Sequence, residues 1–138
     1  MLFVAKNGPS GRPDLDLMLI SDSTDARQLF DQSFFRYDGH CSYSQDRRWI
    51  LYDSYPDPRT PDMMRALQVY SLDCGKGVTL GRFRSEPCAG ATTDLRCDLH
   101  PRWMPDGTSV SFDSIHEGFR GVYWADAGGI MTGKPWRK

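Results

Sequence analysis

Two histidines and two cysteines are the residues of this chain whose types could hold a metal together. They are His40, Cys88, Cys97 and His100. Two thiolates and two imidazoles make a tetrahedral set suited to Zn²⁺. Cys97 lies three residues before His100, in the segment that leads into it. A zinc with four protein ligands has no open position, so the expectation is a structural zinc that ties this segment to the preceding repeat. The plain alternative is a buried Cys97, a Cys88 free on its loop, and histidines bonded to backbone. Cys41 alternates to the strand face opposite His40. Cys74 falls in a turn, and both stay outside the set.

A second group could bind anions. Arg36, Arg96, Arg102, His116 and Arg120 fall at expected strand starts or in loops. The planar fork of arginine binds both oxygens of a carboxylate or sulfate at once. Arg102 is two residues from His100 and shares its strand face. Taken singly, each arginine suits an ordinary ion pair, with Asp38, Asp98 or Glu117 as partners. Taken together, they suit a basic channel that draws in acidic ligands. The recurring carboxylates, Asp46 with Asp106 and Asp53 with Asp113, read as turn and loop residues bonded to backbone, not as catalytic groups.

The elements that must position these residues repeat. "GHCSYSQDRRWILYDS" (39–54) aligns without a gap on the run ending "HPRWMPDGTSVSFDS" (100–114), at an offset of 60 residues (100 minus 40). His40 meets His100, Tyr43 meets Trp103, and Asp53-Ser54 meets Asp113-Ser114. Helical periodicity is almost absent. Short alternating runs bounded by Gly, Pro, Asp, Asn and Ser predict strands at 2–6, 16–21, 27–30, 40–44, 49–54, 67–72, 79–83, 100–104, 109–114 and 121–126. "MPDGT" is a good turn, with Pro presetting φ and Gly accepting a positive φ. "SQDRR" has lost both residues and predicts a looser one.

The repeat therefore reads as a four-stranded unit, A to D, joined up and down. Such units in series are the blades of a β-propeller. The fold class expected is all-β, with strands B–D of one blade in 1–35 and a full blade in 38–84. A loop between blades follows in 85–99, then strands A–C in 100–127 and a tail in 128–138, whose polar end "GKPWRK" should fray. A closed ring takes about four to eight blades. The expectation is thus a fragment of a larger ring, completed by missing blades of its parent chain or by self-association. The aromatics Tyr43, Trp49, Tyr52, Tyr70, Trp103, Phe112, Tyr123 and Trp124 recur at blade positions and should fill the space between sheets.

Composition narrows the partners. The 138 residues carry a net charge of −1, with 39% hydrophobic and 25% charged residues. A general nucleic-acid binder needs a basic surface, so none is expected. No apolar run approaches the ~20 residues that span a bilayer. No signal peptide is visible at the start.

The pieces "GHCSYSQDRRWILYDSYPD", "LGRFRS", "RCDLHPRWMPDG" and "SFDSIHEGFRGVYWAD" resemble bacterial propellers of the TolB-like kind. Within that group they are most similar to the oligogalacturonate lyase and ulvan lyase families. The resemblance covers roughly positions 15 to 127, and "CDLHPRW" followed by "FDSIHEGFRGVY" carries most of it. It implies a ring of six to eight blades, often periplasmic or secreted, that handles acidic polysaccharide. It also implies a structural zinc. Two features depart from it: the short chain, and "SQDRR" in place of a Ser-Pro-Asp-Gly turn.

Those families cut uronic-acid chains by β-elimination. A cation must neutralise the uronate carboxylate, a base must take the neighbouring proton, and an acid must protonate the leaving oxygen. No residue here matches the family's catalytic His and Tyr. Arg36 is the candidate for the substrate-side arginine, with His116 as a second catalytic candidate. The rival expectation is a non-catalytic TolB-like propeller that serves as a protein-interaction or periplasmic binding module. Convergence of Arg36, His100, Arg102 and His116 on one pocket would favour the lyase; scatter would favour the module.

Overall fold

The structure is a computed structural model that describes residues 2–7, 13–57, 62–85 and 97–133. Ten strands account for most of it: β1 (Leu2–Asn7), β2 (Pro13–Ile20), β3 (Arg27–Leu29), β4 (Cys41–Tyr43) and β5 (Trp49–Ser54), then β6 (Met64–Ser71), β7 (Lys76–Arg84), β8 (Arg102–Trp103), β9 (Ser109–Ser114) and β10 (Gly121–Asp126). All pairings between them are antiparallel. Every predicted strand is present, shifted at its ends by at most a few residues. Among the described residues no helix is long and apolar enough to cross a membrane.

The chain divides into two compact units, Met1–Gly39 and His40–Lys138. The first holds a three-stranded sheet in the order β1-β2-β3. Its core is Leu17 and Phe35, 1% and 0% exposed. The rings of Phe30 and Phe34 meet Phe35 edge-on at 6.0 and 4.9 Å. Aromatic edges carry partial positive charge and faces negative, which favours this arrangement. Arg36 belongs to this unit, exposed, with its guanidinium carbon 5.9 Å from the Tyr37 ring.

The second unit holds two sheets, a four-stranded β4-β5-β6-β7 and a three-stranded β10-β9-β8. Registers are equivalent across the repeat: Tyr43 pairs with Ile50, and Trp103 pairs with Val110. Leu51, Leu67 and Val69 of the first sheet form one buried cluster with Val110 and Phe112 of the second, joined by Leu99 and Ala127. The Phe83 and Phe112 rings meet at 4.6 Å. Burial of these side chains is the main force holding the two sheets together, at about 1.5–3 kcal/mol for each large one.

Two expectations need correction. The "SQDRR" turn is not looser than "MPDGT". Arg47 takes the left-handed backbone (φ 58°) that Gly107 takes in the other turn (φ 71°). Its N–H bonds the Ser44 carbonyl at 2.9 Å, as Gly107 bonds Met104 at 2.9 Å. The lost Pro and Gly are offset by side chains: Ser44 Oγ donates to Asp46 at 2.6 Å and accepts from the Trp49 N–H at 3.0 Å. In the expected tail, Gly128–Met131 forms a short helix, α1, while the polar end expected to fray lies, past Gly133, outside the described residues. Ile130 and Met131 pack on the core cluster, and that apolar contact holds the turn down. Finally, Trp124 does not fill the space between the two sheets. It is 69% exposed.

Candidate metal centre

The matched histidines come together in the second unit. Their rings lie 4.0 Å apart, tilted by 34°. They arrive by different routes. His40 continues the β4–β5 ladder, with its carbonyl accepting the Asp53 N–H at 3.0 Å. At the equivalent place His100 leaves the ladder: the Asp113 N–H finds Leu99 instead, at 2.8 Å. His100 has a left-handed backbone, φ 40°. Pro101 follows it and has no N–H to offer a ladder. The one-residue slip frees the His100 N–H, which turns to the neighbouring sheet and donates to Asp53 Oδ2 at 3.2 Å.

Asp53 is fully buried at 0% exposure, and it organises both histidines. Its Oδ1 accepts the His40 backbone N–H at 2.5 Å, and both its oxygens lie 3.1–3.2 Å from His40 Nδ1. A carboxylate on Nδ1 fixes the imidazole tautomer and leaves Nε2 for a ligand. As expected, Asp53 is bonded to backbone, but from a strand and not a loop, and its bonds span two sheets.

Asp98 completes the group. One ligand atom each from His40, Asp98 and His100 lie within 4.8 Å of one another. Among the described residues this is the one such group. Asp98 Oδ2 is 4.0 Å from His100 Nε2 and accepts the Tyr55 hydroxyl at 3.3 Å. Oδ1 is gripped by Arg65 at 2.6 Å. Arg65 is itself only 5% exposed. Its guanidinium carbon sits 4.3 Å over the Tyr55 ring, and its Nε donates to Ser85 Oγ at 2.8 Å. Held on these sides, the pair can keep Asp98 turned toward the imidazoles.

Two imidazole nitrogens and a carboxylate oxygen suit Zn²⁺ or another borderline divalent ion. Among the described residues the set has three ligands, where the sequence predicted four with Cys88 and Cys97. Cys97 is not in the group. Its thiol is buried and directed at the Asp98 carbonyl, 3.6 Å away. Burial pushes its pKa up. Cys88 and Arg96 lie outside the described residues. Cys41 is half-buried, with a thiol pKa also raised by burial, and Cys74 is exposed in the β6–β7 turn.

Arg102, His116 and Arg120 are the members of the expected anion group described in the second unit. Arg102 is exposed and pairs with Asp113 at 3.0 Å. His116 bonds Ser114 Oγ through Nδ1 at 2.8 Å and lies against the Tyr123 ring at 4.3 Å. Arg120 is exposed at the turn before β10. Glu117, one expected arginine partner, accepts the Tyr123 hydroxyl at 3.0 Å. Asp46 and Asp106 do sit in turns as expected, bonded to Arg48, Thr108 and Ser109 N–H groups at 2.8–3.1 Å. Sequence reasoning had Asp98 only as an arginine's partner and missed Tyr55 and Arg65. The Asp-x-His spacing in "CDLH" was the available signal for Asp98.

Compared with models of known protein families and with curated proteins, the chain matches none.

Proposed function

We propose that this chain is part of a TolB-like β-propeller that holds a divalent metal through His40, Asp98 and His100 and uses it to bind acidic ligands. Uronic-acid oligosaccharide is the ligand class its sequence resemblance implies. The observation that carries the reading is the meeting of two repeat-related histidines with a carboxylate, each anchored by a buried partner. When bound, the metal would supply positive charge to a ligand carboxylate, the need that β-elimination shares with simple binding. The protein's own part is to hold the His40 imidazole at fixed tautomer and the His100 backbone in place through Asp53, and to hold Asp98 through Arg65 and Tyr55. A cleavage reading has less support. Arg102 pairs with Asp113, His116 bonds Ser114, and Tyr55, the phenol beside the group, is spent on holding Asp98. The binding-module reading is the stronger for this chain.

The test is calorimetric titration with Zn²⁺ and Mn²⁺, then with trigalacturonate in the presence of metal or of chelator. Binding of one metal ion is expected, weakened at least about 100-fold by His100→Ala. Trigalacturonate should bind only with metal present. Tight metal binding by His100→Ala and Asp98→Asn would refute the site. Saccharide binding that ignores the chelator would refute the role.

A further inference from the structure

The "SQDRR" turn keeps the geometry of "MPDGT" with different residues, and the metal centre has no use for that exchange. The two turns lie at the ends of β4 and β8 away from His40 and His100. By the repeat, Ser44 stands where the other turn has Met104, Gln45 where it has Pro105, and Arg47 where it has Gly107. Between the turns lies an open cleft of about 260 Å³, lined by Ser44, Gln45, Asp46 and Gly107. Apart from the shared Asp46, its polar side chains are those that differ between the copies.

Asp46 gives one carboxylate oxygen to its turn. Oδ1 accepts the Ser44 hydroxyl at 2.6 Å and the Arg48 N–H at 3.1 Å. These bonds hold the carboxyl below its ordinary pKa, so it is an anion at neutral pH. Among the described residues Oδ2 makes no bond, and neither does the exposed Gln45 side chain. Gly107 faces them without a side chain, and a Cβ there would meet nothing within 4 Å. A carboxylate oxygen accepts hydrogen bonds, while a carboxamide both donates and accepts them. That pairing suits hydroxyl groups, which also do both. It suits a cation less well. Arg47 is exposed beside Asp46, and Arg48 bonds Asp73 at 2.6 Å, so negative charge does not build up at the turn. The volume falls just under the about 300–1,000 Å³ of sites for drug-sized ligands, which points to a single small ring.

We infer that this cleft binds a small neutral polyhydroxyl compound, one sugar ring or a cyclic polyol, through Asp46 Oδ2 and the Gln45 amide, with the ring seated over Gly107. Oδ2 accepts one hydroxyl in a charge-assisted bond, the stronger kind. The Gln45 amide takes a neighbouring hydroxyl as donor or acceptor. With few contacts and one open side, the affinity belongs in the millimolar range. The ligand is neutral where the metal centre calls for an acidic one, and the two sites use different residues at opposite strand ends. Either can therefore fail alone.

The experiment is saturation-transfer NMR on the full chain with methyl glucoside, methyl galactoside, methyl mannoside and myo-inositol, in chelator so that the metal centre is silent. Transfer to at least one of these probes is expected, with millimolar affinity. Gln45→Ala removes no bond among the described residues and should weaken that binding about fivefold. Asp46→Asn should weaken it about tenfold. Gly107→Asn fills the cleft with a residue that tolerates the left-handed backbone, and it should abolish the transfer. His100→Ala should leave it unchanged. Urea unfolding of each variant separates lost binding from lost fold, and Gln45→Ala should unfold at an unchanged midpoint. No transfer to any of the probes overturns the inference. Binding that survives both Gln45→Ala and Gly107→Asn overturns it too. So does tighter binding of ethylammonium than of every probe, because the cleft would then be a cation site.

Discussion

The two sheets of the second unit are near copies that differ in how many faces they bury. In β5, five of six residues are buried, on both faces, and β6 is buried almost throughout. In β9 burial alternates strictly, and in β10 half-buried positions alternate with exposed ones. The sequences carry the same pattern, so the difference comes from neighbours: the first sheet packs on the second, and the second's equivalent face is open. The same contrast runs through the paired carboxylates. Asp53 is sealed between sheets and holds two histidines. Asp113 stands at the surface and holds one exposed arginine. A residue's role here is set by what covers it more than by its place in the repeat.

Matched substitutions should expose this asymmetry. The largest effect belongs to Leu67→Ala, at about 3 kcal/mol, since it opens a cavity in the shared core. Val122→Ala, its counterpart, should stay within about 0.5 kcal/mol. Urea unfolding of both reads the difference, and equal losses would break the comparison. Next comes Asp53→Ala, which strands the His100 N–H and the His40 ring and should cost about 3 kcal/mol. Asp113→Ala removes only a surface pair, at about 0.5 kcal/mol.

The turns sharpen the comparison in the opposite sense, since their geometry agrees where their residues differ. Arg47→Gly should stabilise by about 0.5–1 kcal/mol, because the left-handed backbone suits glycine. Gly107→Ala should destabilise by a similar amount, and thermal unfolding checks both.

The smallest effect is in acid, where the copies should behave alike. Hydrogen bonds from Ser44 and the Arg48 N–H hold the Asp46 carboxyl below its ordinary pKa. The Ser109 and Thr108 N–H groups do the same for Asp106. The folded state therefore binds fewer protons than the unfolded state near the ordinary carboxyl pKa. The stability this provides is present above that value and lost as pH falls through the lowered one. Asp46→Asn and Asp106→Asn should each flatten this acid slope by a comparable amount.

Much of the fold was legible in the sequence. Alternating β-branched and aromatic runs marked every strand, and the gapless alignment of the repeat carried the registers. The centre was half legible. The shared histidine could be seen, but not the slip at His100 that aims its N–H at Asp53. That slip depends on a backbone angle that no periodicity reports. Asp98 was hidden for a similar reason. A carboxylate becomes a ligand candidate only when Arg65 and Tyr55 arrive from another sheet to aim it. Trp124 was misread because its pattern matches buried Val69, and a pattern shows what a face suits, not what covers it. Arg47 misled because Ser44 and Asp46 together supply what Pro and Gly would have.

The most direct test of the metal centre is the visible and near-ultraviolet spectrum of the chain loaded with Co²⁺. Ligation by His40, Asp98 and His100 predicts d–d bands without a thiolate-to-metal charge-transfer band, lost in His100→Ala and Asp98→Asn and kept in Cys97→Ser. A strong charge-transfer band that disappears in Cys97→Ser, or no Co²⁺ bands at all, would contradict the account.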